Sequence, residues 1–400
     1  MKKKYIFILI ISLFLITSCN EKVDTKIKDK SSDKIKEEVN NIMKDMTIDE
    51  KIGQLIVLSY RSPKMDDTLR NTLKEVKPGG FILFKENMST FYKSLDLIKE
   101  IKSSSKVPMF ISIDEEGGSV QRLKALTDVT VSDVPFMSEV GSKNDKELAY
   151  EVGTLLAEEL RVFGINMDFA PVIDVYSNPD NKVIGKRSFG SNTEVVSSMG
   201  INVAKGLGEH GVIPVYKHFP GHGNTSTDSH YDLPVVDKTK DELMSLDLVP
   251  FKKVIDSGAE VIMIGHLSVP ELTSDNTPAS LSKDIITNLL KDELGFKGVV
   301  VTDALDMGAL TNYYEDSEIC VKALEAGVDM LLMPSDSRTC FKAVKEAIDE
   351  GKLTIDRINE SVEKLLTLKV KYVTDSYDTY LDSSFLNNGD HQKIIKKINN

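Results

Sequence analysis

Two strings in this sequence carry residue types that do chemistry at short spacing. Lys217-His218-Phe219-Pro220-Gly221-His222-Gly223 is followed closely by Asp228-Ser229-His230. Pro220 and the two glycines break any regular helix, so His218 and His222 cannot be assumed to share a helical face as metal ligands would. His230 lies two residues after Asp228 and can be oriented by that carboxylate. An Asp-oriented imidazole is a proton donor and acceptor near neutral pH; the alternative is a pair of structural histidines holding a turn. Asp303 ends the apolar string Val299-Val300-Val301-Thr302. A carboxylate there can be a nucleophile, a metal ligand or a cap on the next helix, and Asp306 reads as a first-turn residue. Asp114-Glu115-Glu116-Gly117-Gly118-Ser119-Val120-Gln121-Arg122 sets three acids beside two glycines. Such a turn can bind hydroxyl groups or a metal, and Arg122 can keep a neighbouring acid ionised; the alternative is a plain charged turn. Arg187-Ser188-Phe189-Gly190 says little alone.

The elements that must position these residues follow from hydrophobic pattern. Short apolar, β-branched runs recur at 54–58, 81–84, 109–113, 166–170, 213–216, 261–264, 299–301 and 330–333. They have the length of buried strands. Longer stretches with helical spacing separate them, including 88–102, 145–162, 194–210, 240–257, 282–294 and 339–349. Alternating strands and helices imply parallel βαβ units. Eight runs in order predict a TIM-type (β/α)8 barrel, with a doubly wound open sheet as the runner-up. A barrel puts functional side chains just after its strands. Asp114, Glu115 and Glu116 follow the third run, Asp174 the fourth, Lys217 and His218 the fifth, His266 the sixth and Asp303 the seventh. Thr47 before Glu50 predicts a capping box at the first helix. No Pro- or Ser-rich linker interrupts residues 40–370, so residues 39–373 are expected to form one catalytic domain, with a loosely ordered tail over 374–400.

Hydrophobic residues make up 41% and charged residues 28%, an ordinary globular balance that excludes collagen-like, wholly disordered and multi-span membrane chains. The net charge of −12 disfavours a sequence-independent nucleic-acid binder. A basic cap at residues 1–4 precedes a nearly continuous apolar run over 5–16, then Thr17-Ser18-Cys19. This is a secretory signal over 1–18, and its end resembles a bacterial lipobox in which Cys19 carries the lipid. The alternative is a cleaved signal with an incidental cysteine. The apolar run is shorter than the ~20 residues that a spanning helix needs. Residues 19–38, rich in Lys, Asp, Glu and Ser, are expected to be a solvated tether between membrane and domain. Cys320 and Cys340 lie in helix-like segments and are expected to be free buried thiols, although a secreted chain permits a disulfide.

Taken together, these motifs resemble glycoside hydrolase family 3, in particular its single-domain β-N-acetylglucosaminidase branch. The likeness runs from Met46-Thr47-Ile48-Asp49-Glu50-Lys51-Ile52-Gly53-Gln54-Leu55 through the Asp303 segment, and the Lys217–Gly223 string with its Asp228-Ser229-His230 is its most specific part. The resemblance implies that Asp303 is the catalytic nucleophile, His230 the acid/base and Asp228 its partner. It implies that Asp114, Arg122, Arg187, Lys217 and His218 grip the hydroxyls of a terminal N-acetylglucosamine. Ser119 departs from the arginine that the family often carries after its glycine pair. Most retaining glycosidases use two carboxylates; a histidine acid/base lies outside that pattern, so carboxylate separation does not predict stereochemistry here. Retention through a glycosyl-Asp303 intermediate is what the resemblance implies. The chain has no Trp, which favours a shallow pocket for one terminal sugar over a long aromatic cleft. The expected protein is a monomeric, lipid-anchored exo-hydrolase without cofactor or metal, acting on peptidoglycan fragments or chitooligosaccharides. Three alternatives stay open: a glycoside phosphorylase, a metal-dependent hydrolase using His218, His222, Asp114 and Asp303, and a lipid-anchored sugar-binding protein.

Overall fold

A computed structural model describes residues 25–27, 30–225, 227–273 and 275–400. The signal segment, Cys19 and the tether up to residue 24 lie outside the described residues.

The chain is an α/β fold whose parallel strands form the lining and whose helices form the cover. Strands β1 (Ile56–Ser59), β2 (Gly80–Ile82) and β3 (Phe110–Ile113) are followed by a short hairpin, β4 (Glu115–Gly117) and β5 (Val120–Gln121). Then come β6 (Met167–Asp168), β7 (Ile213–Pro214), β8 (Tyr216–Phe219), β9 (Val261–Ile264), β10 (Val299–Thr302) and β11 (Leu331–Leu332). One sheet has the order β11-β1-β2-β3-β6-β7 and a second has β10-β9-β8, with every neighbour pair in both parallel. The chain passes from β7 to β8 through Val215 alone, and a parallel bridge joins Val301, in β10, to Met330 just before β11. The pattern over β3, β9 and β10 is buried at every position, as in parallel sheets covered on both faces. That is why these strands appear in the sequence as continuous apolar runs rather than as alternating ones.

Helix Ile48–Gln54 opens with the capping box: Thr47 accepts from the Glu50 N–H, and the Glu50 carboxylate accepts from the Thr47 N–H. It delivers the chain into β1.

Three expectations are corrected. The stretch expected to be a tether is ordered well before residue 38: Ser31 caps a helix over Ser32–Met43, and Val39 is buried. Thr25 is buried as well, with its hydroxyl 2.6 Å from His210 Nδ1. The tail is not loose either. Asn388 caps a helix over Gly389–Asn399 that buries His391, Ile395 and Ile398. His391 Nε2 sits 2.9 Å from Glu158 Oε2 and Nδ1 3.3 Å from Glu159 Oε1, so an ionic seat holds this helix. Finally, Cys320 and Cys340 are joined in a disulfide, their Cα atoms 5.7 Å apart. Helices Asp316–Ala326 and Ser337–Asp349 pack side by side and bring the two buried thiols face to face. Among the described residues no helix is long and apolar enough to cross a membrane.

Candidate active site

The strands deliver polar residues to one cleft at their C-terminal ends. Asp114 follows β3, Glu116 lies in β4, Lys217 and His218 lie in β8, and Asp303 follows β10. Asp114, Glu116, Arg122, Arg187, Lys217, His218, His230 and Asp303 all line it. Asp228 stands behind His230. The residues singled out in the sequence for catalysis and sugar binding therefore converge on one place.

The floor is a buried ionic network. Lys217 Nζ is 2.9 Å from Asp114 Oδ1 and 2.6 Å from Glu116 Oε1. Arg187 grips Glu116 with both arms of its fork, Nε to Oε2 at 2.8 Å and Nη2 to Oε1 at 2.7 Å. Arg122 Nη2 stands 3.5 Å from Asp114 Oδ2. Burial disfavours charge on Glu116, but Arg187 and Lys217 outweigh it and hold the carboxyl well below the usual range. The same opposition acts on Lys217: burial lowers its pKa, Asp114 and Glu116 raise it, and the net direction is up. Glu115 points away from the cleft and accepts the N–H groups of Arg122 (2.7 Å) and Leu123 (3.1 Å). Burial pushes both Glu115 and the neighbouring Asp168 up to about 8.

One wall is built around Asp174. This fully buried carboxylate lies 2.7 Å from His218 Nδ1 and accepts the His222 N–H at 2.7 Å. Burial opposes its charge, yet His218, His222 and these hydrogen bonds hold its pKa below the ordinary value. An ionised carboxylate only accepts, so His218 carries a proton on Nδ1. Asp303 is half-buried. Its N–H donates to the Ile264 carbonyl at 2.8 Å, and its Oδ1 accepts the Ala304 N–H at 2.8 Å. Burial works against its charge, but His218, His266, the Ala304 N–H and Lys217 bring its pKa below the ordinary value. Asp303 is therefore an anion near neutral pH. His266, fully buried, sits 2.9 Å from the Ala304 carbonyl through Nε2 and 2.7 Å from Ser280 Oγ through Nδ1. A carbonyl only accepts, so Nε2 is the protonated nitrogen, and the ring clamps the backbone just beyond Asp303.

His230 lies on the segment over 221–231. Its Nδ1 is 2.7 Å from Asp228 Oδ1, and the same oxygen accepts the His230 N–H at 3.0 Å. Burial opposes charge on Asp228, but the His230 N–H and ring hold its pKa below the ordinary value. Among the described residues the other ring nitrogen of His230 has no hydrogen-bond partner. The segment is fixed at its root. Asn181 donates to the His222 carbonyl at 2.7 Å, and His222 lies 2.6 Å from Thr225 Oγ1 through Nδ1 and 3.4 Å from Ser229 Oγ through Nε2. A Cβ on Gly223 would overlap the Val175 carbonyl, so only glycine allows this approach. At its far end Gly308 and Ala309 donate to the carbonyls of His230 and Ser229, each at 3.2 Å. Burial lowers His222 to about 4, so it is a neutral brace for the segment.

Sequence reasoning left several of these residues without a role. Glu116 was one of three adjacent acids, and the two-residue strand period separates them: Asp114 and Glu116 share the cleft side while Glu115 faces inward. Asp174 and His266 carried a weaker signal, their place after apolar runs. Arg61, whose guanidinium lies 4.4 Å above the Phe84 ring at the cleft wall, gave none. His218, His222, Asp114 and Asp303 all line the cleft, each engaged as described. Among the described residues no three His, Cys, Asp or Glu side chains are arranged to hold a metal ion.

Displacement at a sugar's anomeric carbon with an intermediate on the enzyme needs a nucleophile on one side of the bond and a proton donor on the other. A strand-end carboxylate and an Asp-backed imidazole in one cleft give this catalytic domain the groups of a glycosidase. The model of the glycosyl hydrolase family 3 N-terminal domain matches residues 47–368, and the chain belongs to that family. Beta-hexosaminidase A of Pseudoalteromonas piscicida is 32% identical over 394 residues, covering 88% of this chain and 66% of its own length. Beta-hexosaminidase LpqI of Mycobacterium tuberculosis is 33% identical over 328 residues, covering 80% of this chain and 82% of its own. A solved glycoside hydrolase family 3 beta-N-acetylglucosaminidase from a Paenibacillus species matches at a TM-score of 0.83 and 36% identity, covering 88% of this chain and 68% of that one. The chain thus spans about two thirds of the length of the Pseudoalteromonas and Paenibacillus relatives.

Proposed function

We propose that this chain is an exo-acting, retaining β-N-acetylglucosaminidase that releases terminal β-linked N-acetylhexosamine from glycans such as peptidoglycan fragments or chitooligosaccharides. The carrying observation is that Asp303 and His230 line one cleft, while Asp228 occupies Nδ1 of His230 and leaves the other ring nitrogen unbonded. Asp114, Arg122, Arg187, Lys217 and His218 hold the hydroxyls of the terminal sugar. In the first step the Asp303 carboxylate forms a bond to the anomeric carbon as the glycosidic C–O bond breaks. The free ring nitrogen of His230 gives its proton to the departing oxygen. In the second step water attacks the anomeric carbon, His230 takes back a proton, and the bond to Asp303 breaks.

The scaffold for this chemistry is a closed (β/α)8 barrel. The passage through Val215 and the Val301–Met330 bridge support joining the two sheets into one ring. The protein works outside the cytoplasm as a monomer, held to the membrane by a lipid on Cys19. Cys19→Ser is expected to abolish fatty-acid labelling and leave the activity of the domain intact; a variant that still takes up label places the anchor elsewhere.

The test of the activity is turnover of a chromogenic N-acetylglucosaminide, with the released sugar followed by NMR, with and without phosphate. Hydrolysis independent of phosphate, with the β-anomer appearing first, is expected. Release of a sugar phosphate makes the enzyme a phosphorylase, and no turnover at all overturns the reading.

A further inference from the structure

The inference deepens the glycosidase reading and rests on it. If His230 protonates the glycosidic oxygen, the leaving sugar starts within hydrogen-bond reach of that ring. The terminal sugar occupies the buried floor, so the leaving side of the substrate must run out past His230, whose side chain is 66% exposed. Two exposed tyrosines lie on the segments that adjoin His230 in the chain and through backbone hydrogen bonds. Tyr231 is the next residue in the chain and is 78% exposed, and Tyr313 is 58% exposed. They belong to different segments that are tied together. Asn312 donates to the Tyr231 carbonyl at 2.9 Å, and the Tyr313 hydroxyl donates to Asp232 Oδ1 at 2.5 Å. Gly308, at the start of the Tyr313-bearing turn, donates to the His230 carbonyl at 3.2 Å. Large exposed aromatic rings are costly to leave in water, and only one other tyrosine, Tyr92, is among the most exposed large apolar side chains described.

We propose that Tyr231 and Tyr313 form the leaving-group subsite, a platform on which the sugar ring on the reducing side of the scissile bond stacks its C–H face. A pyranose ring presents such an apolar face, and a tyrosine offers a flat apolar body with a polar tip. In a chain without Trp, these tyrosines supply the aromatic surface that oligosaccharides pack against. The ligand class is a neutral β-linked saccharide, and the catalytic cleft continues onto the platform through His230.

The test compares two substrates that both need full protonation of the leaving oxygen. One is N,N′-diacetylchitobiose, which carries a leaving ring, and the other is methyl β-N-acetylglucosaminide, which carries none. Misplacing His230 would lower both equally, whereas loss of stacking lowers only the disaccharide. In Tyr231→Ala and in Tyr313→Ala the ratio of kcat/KM for the disaccharide to that for the methyl glycoside is expected to fall about tenfold. Tyr231→Phe, which keeps the ring, is expected to hold the ratio within about twofold of wild type. An unchanged ratio in both Ala variants overturns the subsite and leaves the glycosidase reading standing. If the wild-type enzyme cleaves neither substrate, the glycosidase reading falls and the subsite with it.

Discussion

The floor of the cleft and the segment that overhangs it are built on opposite principles. Glu116 and Lys217 on the floor are 2% and 3% exposed, whereas Asp228 and His230 above are 36% and 66% exposed. Buried charges are tolerated only when partners and hydrogen bonds compensate their desolvation, and removing one partner leaves the others stranded. Each floor carboxylate accordingly meets two cations, and the fork of Arg187 fixes Glu116 in the plane. The exposed Asp228–His230 pair contributes little to folding. It is free of that constraint, and its outer nitrogen can exchange protons with solvent between catalytic steps. On the proposed assignment this is a division of labour: recognition falls to buried charge that the fold holds in place, and proton transfer to an exposed pair above it.

The sharpest break comes where the two regions meet, at Asp303. Asp303→Ala is expected to lower kcat on an activated aryl N-acetylglucosaminide by about ten-thousandfold or more, with the far-ultraviolet circular dichroism unchanged. Near-normal turnover would remove the covalent step from the account.

Glu116→Ala tests the floor itself. It strands Arg187 in the interior and leaves Lys217 with Asp114 alone, so unfolding in urea is expected to show a loss of about 3 kcal/mol or more. A fall in kcat/KM of about a hundredfold should accompany it, because both cations lose a partner that positions them. His230→Ala is expected to move stability by less than about 0.5 kcal/mol, as a surface change should. Equal destabilisation by the two variants would erase the distinction between floor and overhang.

The smallest effect concerns a second buried charge seat, far from the cleft. Burial lowers the pKa of His391, but Glu158 and Glu159 outweigh it and raise it above the ordinary 6.5. The folded state therefore favours the charged ring. Its contribution is full below the ordinary value and is lost as pH rises through the raised one. Hydrogen exchange in the helix Gly389–Asn399, corrected for intrinsic rates, is expected to quicken as pH rises above the ordinary histidine value of 6.5 while the strands stay protected. Uniform behaviour of the helix across that rise would mean that the seat does not titrate.

The strand set and most of the cleft were legible in the sequence because both follow from short-range pattern. Buried parallel strands must be apolar throughout, and the residues after them stand at one end of the fold. The KHFPGHG string and the Asp-Ser-His after it are local, so their shared location needed no knowledge of distant contacts. What was illegible depended on partners far along the chain. Ile35, Val39 and Ile42 repeat at helical spacing inside a stretch dominated by charge, as do His391, Ile395 and Ile398. Their apolar stripes are narrow, and each needed a distant surface to pack against. The Cys320–Cys340 pairing likewise depended on two helices lying side by side. Glu116 was visible as a residue but not as the hub of the floor, since Arg187 and Lys217 lie 71 and 101 positions away in the chain.

On the proposed assignment the overhanging His230 supplies the proton and the buried floor does not. Glycosylation rates for His230→Ala should be followed in the pre-steady-state burst, on a dinitrophenyl N-acetylglucosaminide and on a disaccharide. A dinitrophenolate departs with little protonation, whereas a sugar alkoxide needs a full proton. The expected result is a loss of about a thousandfold on the disaccharide and less than about tenfold on the aryl glycoside, with Asp228→Ala showing the same trend more mildly. Loss of both rates by the same factor would contradict the assignment and leave the proton donor to be found elsewhere in the cleft.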